Sequence, residues 1–217
     1  MSNGLTRAIL KLISLNAGAV VGSNAAVRLA SHRQPRPMPH QMAGLLDSPV
    51  RMAYRNPAQM LGEFGIANGM TVLDLGCGSG TFTLAMAHMV GAEGRVHAVD
   101  IQPELVEQTR KRAATAHLSD RVECHNSGAY DLPLADDSVD SVIMIATLAE
   151  IPDKQKALAE VRRVLKSMGR LAVSEELPDP AYAPAYLASQ WIEDAGFQFG
   201  GKSGTFFCYN LLYFNNK

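Results

Sequence analysis

Residues 72–80 read Val-Leu-Asp-Leu-Gly-Cys-Gly-Ser-Gly. The first four are apolar apart from Asp74 and are long enough for one short buried strand. Gly76, Gly78 and Gly80 then free the backbone for a tight turn and let a ligand lie against the main chain where a Cβ would block it. Residues 81–90 continue in a helical pattern. Open α/β sheets bind their ligands at the carboxyl ends of strands that run into such turns.

The same alternation extends outward on the C-terminal side. Strand-like runs TVLDL, RVHAVD, RVECHN, VDSVIMIA and RLAVSE are separated by helical patterns at 81–90, 103–116, 153–166 and 184–195. Strands alternating with helices imply βαβ units and a mostly parallel sheet. Pro103 sits where a first-turn proline is tolerated, and Gly169 is placed to close the helix over 153–166. Residues 197–214 carry two aromatic-rich runs about Gly200, Gly201 and Gly204, which predicts a closing antiparallel hairpin. Five strands and this hairpin make a seven-stranded sheet.

The 217 residues suit one domain with an appendage, divided here into an N-terminal helical arm and connector over 1–57 and a body over 58–217. The arm is free of acids until Asp47, while Arg7, Lys11, Arg28, Arg33 and Arg36 precede it. Its apolar stretch 8–21 is interrupted by Lys11, Ser14 and Asn16 and falls short of the roughly 20 apolar residues of a spanning helix. Three readings stand for it: an amphipathic helix packed as a lid, a helix lying on a membrane surface, or an organelle-targeting segment. Pro35, Pro37 and Pro39 make 32–40 an extended connector.

A net charge of −1 argues against a nucleic-acid partner, which calls for a clustered basic surplus. Cys77, Cys124 and Cys208 are far apart and odd in number, so neither a disulfide framework nor a zinc site is expected, and a reducing, cytoplasmic setting fits. His88, His97, His117 and His125 fall on expected helices and strands without metal-ligand spacing, so they read as packed or surface imidazoles.

Two acids sharpen the site. Asp74 lies beside the turn, and Asp100 ends the second strand 20 residues beyond Gly80, where a carboxylate can accept both hydroxyls of a ribose. A dinucleotide fingerprint would need a glycine where Thr81 stands, and Asp74 suits a cationic ligand better than a diphosphate.

With these residues the chain resembles the class I S-adenosylmethionine-dependent methyltransferases. Residues 72–80 are similar to that family's first motif, and Asp131-Leu132-Pro133 and Asp136-Asp137-Ser138-Val139-Asp140 resemble its approach to the fourth strand. Residues 148–152, 157–166 and Gly169-Arg170-Leu171 are similar to the subgroup of ubiquinone and menaquinone biosynthesis methyltransferases. The resemblance implies a Rossmann-like fold, S-adenosylmethionine as methyl donor and S-adenosylhomocysteine as product.

It also implies a cofactor site of Asp74, Gly76, Cys77, Gly78, Gly80 and Asp100, with Ile101 and Gln102 beside the adenine. Gly128 and Ala129 stand where many members carry an adenine-binding aspartate, which leaves only backbone groups, and Ile145 ends the fourth strand. Cys77 has no neighbouring base and reads as a small filler rather than a nucleophile. Glu150 is the first candidate for a general base, with Tyr54 as a second catalytic candidate that could hydrogen-bond and wall off water. Because Ile145-Ala146-Thr147 brings no carboxylate to the fourth strand end, no metal is expected.

The acceptor is expected to be a small molecule, lipophilic if the apolar arm covers it; the sequence leaves oligomeric state open. Two competing readings are a nicotinamide-dependent reductase, against which Thr81 speaks, and a non-catalytic S-adenosylmethionine-binding protein, which Gly128 and Leu148 motivate.

Overall fold

The structure, a computed structural model, describes residues 26–217; the stretch 8–21 lies outside them. Parallel strands β1 (Thr71–Leu75), β2 (Arg95–Asp100), β3 (Val122–Asn126), β4 (Val139–Ile145) and β5 (Leu165–Glu176) are joined by antiparallel β6 (Gln198–Gly204) and β7 (Cys208–Phe214). Their order across the sheet is β3-β2-β1-β4-β5-β7-β6. The chain winds outward from β1 to β3 and then returns to lay β4 on the other side of β1. That reversal opens a crevice at the carboxyl ends of β1 and β4, the place where such sheets bind ligands. The expected seven strands and closing hairpin are all present.

Helices α1 (26–33), α2 (Pro49–Tyr54) and α3 (Pro57–Glu63) precede the sheet, and α4 (Thr81–Val90), α5 (Pro103–Thr115), α6 (Lys154–Val164) and α7 (Ala185–Asp194) cross between strands. Local chemistry sets their starts. Ser48, Asn56 and Asp153 accept from backbone N–H groups of the first turns of α2, α3 and α6, and proline opens α2, α3 and α5. Among the described residues no helix is long and apolar enough to cross a membrane.

Alternation along the strands builds a core on each face. Leu73, Val142 and Met144 pack with Leu158 and Val161 of α6 and Ile192 of α7, whereas Val72 and Ile143 pack with Leu61 and Phe64 at α3 and Met86 of α4.

Three expectations need correction. Helix α6 ends at Val164, not Lys166, because Leu165 already pairs with Val139 while the N–H of Ser138 binds the Val164 carbonyl at 2.9 Å. The left-handed residue there is Met168 (φ 59°), and Gly169 is needed instead for close approach, since a Cβ would come within 2.8 Å of the Lys166 carbonyl oxygen. His117 lies just beyond α5 with φ 57° rather than inside a helix. Of the connector, residues 35–39 are irregular, but α1 runs through residue 33 and a 3₁₀ turn (His40–Leu45) begins at its far end.

Candidate active site

At the end of β1 the chain turns through Gly76 (φ 80°), Gly78 (φ 54°) and Gly80 (φ 84°), a region that penalises any residue with a Cβ. Space forbids side chains as well. A Cβ on Gly76 would strike the Thr147 side chain, and one on Gly80 would lie 2.7 Å from Thr109 Oγ1. The N–H groups of Gly76 and Cys77 donate to the Val99 carbonyl at 2.8 and 3.0 Å, which ties the turn to β2. Cys77 is buried with its thiol pushed well up in pKa, chiefly by desolvation, which suits a filler and not a nucleophile.

Asp74 is only 2% exposed and accepts one hydrogen bond from Thr83 Oγ1 at 2.5 Å. Burial raises its pKa to about 7, and the charge of Asp100 adds to the rise. Asp100 stands at the rim of the same turn, accepting from the Gly78 N–H at 3.0 Å and the Gln102 N–H at 2.9 Å. Burial raises its pKa despite those bonds. Ile101 is 60% exposed beside it, and its Cδ1 lies 3.9 Å from where a Gly128 Cβ would be. Asp74, the glycine turn and Asp100 thus meet at the carboxyl ends of β1 and β2, Ile101 lies next to Gly128, and Ile145 ends β4 just before the left-handed Ala146.

Glu150 sits in a short 3₁₀ turn (Leu148–Glu150) just beyond β4. Desolvation first, then the charge of Asp179, pushes its pKa up to about 8, although the Met38 N–H donates to its carboxylate. Tyr54 lies at the end of α2, facing the end of β5. Its hydroxyl donates to Glu176 Oε2 at 2.9 Å, its ring meets Phe207 edge-on, and burial with the Glu176 bond raises its pKa to about 12.

Several residues that shape the site were not among those expected. The Met38 carbonyl accepts from Gln102 Nε2 at 2.9 Å and the His40 N–H donates to Gln102 Oε1 at 3.0 Å, so the connector straps both the Gln102 and the Glu150 side of the crevice. Asp47 accepts from Ser79 Oγ at 2.9 Å, from Thr81 Oγ1 and from Arg112 at 2.7 Å, fixing the glycine turn from above. Being the first acid after a basic stretch was its only mark in the sequence. Glu176, at the end of β5, receives Arg51 Nε at 2.7 Å and faces Arg55 Nε at 3.5 Å. Its neighbour Glu175 is fully buried, and desolvation drives its pKa upward.

A family model described as a methyltransferase domain matches residues 66–193. The chain belongs to the S-adenosylmethionine-dependent methyltransferases. A solved S-adenosylmethionine-dependent methyltransferase from Aquifex aeolicus superposes with a TM-score of 0.77 at 30% identity, over 82% of this methyltransferase and 99% of that one. Among curated proteins, the ubiquinone/menaquinone biosynthesis C-methyltransferase of Klebsiella pneumoniae is 37% identical over 111 residues, 51% of this chain and 44% of that one. The demethylmenaquinone methyltransferase of Lactiplantibacillus plantarum is 33% identical over 135 residues, 61% of this chain and 56% of that one. The methyltransferase thus spans about half the length of these relatives. Neither the reductase reading nor the non-catalytic one gains support from these likenesses.

Proposed function

We propose that this methyltransferase seats S-adenosylmethionine across residues 74–80 and Asp100 and passes its sulfonium methyl, by one in-line displacement, to a small lipophilic acceptor of the quinone or phenol class. One observation carries the cofactor reading: two buried carboxylates flank a turn whose three glycines all have positive φ, at the reversal point of the sheet. Asp100 takes the ribose hydroxyls, Ile101, Gln102 and the backbone of Gly128 and Ala129 border the adenine, and Asp74 faces the cationic end. The displacement needs alignment and exclusion of water, which the strap through Met38 supplies. The acceptor class rests on the quinone-pathway names of the relatives and on Phe206 and Phe207, exposed beside Glu176. Tyr54, its hydroxyl committed to Glu176, serves as a wall next to Phe207.

The test is a titration followed by transfer. S-adenosylmethionine and S-adenosylhomocysteine bind and NADH does not; labelled methyl then appears in the organic extract of reactions given detergent-dispersed demethylated quinols. Label on no quinol or phenol would remove the acceptor class and leave the cofactor reading standing, whereas NADH binding would remove both.

The cationic end of the cofactor gives Asp74 a pH signature. Its carboxyl, held near pKa 7 by burial, loses its proton when a positive charge arrives, because opposite charge favours the ionised form. Binding at pH 7 therefore releases about half a proton, and the dissociation constant tightens by up to about tenfold from pH 6 to pH 8. Calorimetry in buffers of different ionisation enthalpy reads that proton directly, and Asp74→Asn removes it; buffer-independent heats in the parent protein would put the cationic end elsewhere.

Glu150 makes a second prediction. A base works ionised, so with its pKa near 8 the transfer rate rises with pH and levels off above 8. Glu150→Gln abolishes that rise and slows transfer by about 100-fold or more, the usual share of a general base. A parent profile flat from pH 6 to 9 would exclude Glu150 from proton removal.

A further inference from the structure

His97 lies on β2, and Glu123 and His125 lie on the edge strand β3. The parallel register sets His97 beside Glu123 and Val99 beside His125, and the two-residue period of a strand turns all three side chains to one face. The connection from β3 to β4, residues 127–138, contains no helix, and both imidazoles remain partly open, with side chains 16% and 15% exposed. Outside the methyl-transfer crevice, these three groups bring their ligand atoms within 4.8 Å of one another.

The two imidazoles lie at hydrogen-bond distance from each other, and the Glu123 carboxylate faces both. His97 Nδ1 faces both His125 Nε2 at 3.1 Å and a Glu123 oxygen at 3.5 Å, and His125 Nε2 faces the other Glu123 oxygen at 3.7 Å. The same nitrogen of each ring is therefore aimed at two acceptors. When each ring carries its proton on the other nitrogen, the lone pairs of His97 Nδ1 and His125 Nε2 and those of the carboxylate are directed at a common point. A cation at that point satisfies them together. A four-coordinate ion with bonds of about 2.0–2.2 Å holds neighbouring ligand atoms roughly 3.3–3.6 Å apart, close to the spacings found.

We propose that His97, Glu123 and His125 bind a divalent transition-metal ion of the zinc type, with water at the fourth position. Two neutral imidazoles and a carboxylate are a donor set that such an ion prefers over magnesium or calcium, which favour oxygen ligands. The ion clamps edge strand β3 to β2, since His97 comes from one and the other two ligands from its neighbour. The clamp occupies the His97–Glu123 and Val99–His125 register positions, the second of them one step before the Asp100–Asn126 pair. It takes no part in methyl transfer.

The experiment uses the full chain, free of any histidine tag, stripped with chelator and titrated with Zn²⁺ and Co²⁺. One equivalent binds, Co²⁺ acquires the intense visible bands of a low-coordinate site, and the melting temperature rises by about 5–10 °C at a hundredfold excess of Zn²⁺ over its dissociation constant. His97→Ala and His125→Ala abolish the bands and the rise, and His88→Ala leaves both. Glu123 is exposed, so Glu123→Gln keeps the fold, and it weakens Zn²⁺ binding by about tenfold or more. Absence of saturable binding, or binding that survives both histidine substitutions, overturns the proposal. Should the histidine variants fail to fold, an unchanged affinity in Glu123→Gln overturns it equally.

Discussion

Replacing Asp100 by alanine raises the dissociation constant for S-adenosylmethionine by about 100-fold or more while leaving the protein folded. The magnitude follows from two sources. In the proposed binding mode the carboxylate accepts both ribose hydroxyls, and hydrogen bonds to a charged group contribute about 1.5–3 kcal/mol each. It also organises the empty site, because its two oxygens hold the Gly78 and Gln102 N–H groups at 3.0 and 2.9 Å. Removing it frees the glycine turn on one side and the adenine-side backbone on the other, so the ligand must then order both. Asp100→Asn retains acceptor capacity and shape but no charge, and falls between the parent and alanine. Isothermal titration of the three proteins, with melting curves beside it, measures the series. Parent-like affinity in Asp100→Ala would mean that the cofactor does not lie across this turn.

The part of the site that was legible in the sequence is the part built by one continuous stretch. Glycines at 76, 78 and 80 stand where φ is positive, and no other residue type meets both the angles and the crowding by Thr147 and Thr109. Their place in the turn is thus written in their identity. Asp100 was legible because a strand of known length fixes its distance from the turn. The strands were legible for the same reason, through period and punctuation, except where β5 begins early at Leu165 by pairing with Val139, a contact between residues 26 apart that no local pattern announces.

What stayed hidden is what long-range contacts assemble. Met38 acts through its backbone, and nothing about a methionine side chain marks that use. Arg51 and Arg55 are buried against a glutamate more than 120 positions away, a pairing that no local pattern announces. His97 and His125, 28 residues apart, lack any helical ligand spacing, and only strand register brings them together. Tyr54 was singled out as an aromatic before the core, but its hydroxyl is taken by Glu176, which chain proximity could not suggest.

Glu176→Ala is expected to be the most destabilising single change at the site, by about 3–5 kcal/mol, because breaking a buried ion pair strands the opposite charge. Here it strands two. Arg51 and Arg55 are 8% and 1% exposed, and Glu176 is the carboxylate that meets both guanidinium groups as well as the Tyr54 hydroxyl. Arg55 has little to fall back on: it donates to Ser174 Oγ, but its Nη2 has no hydrogen-bond partner among the described residues. At about 2–4 °C per kcal/mol for a domain of this size, the loss lowers the melting temperature by roughly 6–20 °C. Arg55→Met removes a cation instead and leaves Glu176 paired with Arg51 and Tyr54, so its effect is smaller, since no buried charge is left without an opposite partner. The ordering is the discriminating result. If burial of apolar surface alone held α2 to the sheet, Glu176→Ala would be no worse than Arg55→Met; if charge compensation holds it, the alanine variant is far worse. Because α2 follows directly on the segment that carries Met38 and Asp47, the same substitution also loosens the strap over the crevice, and S-adenosylmethionine restores part of the lost melting temperature by binding the folded form.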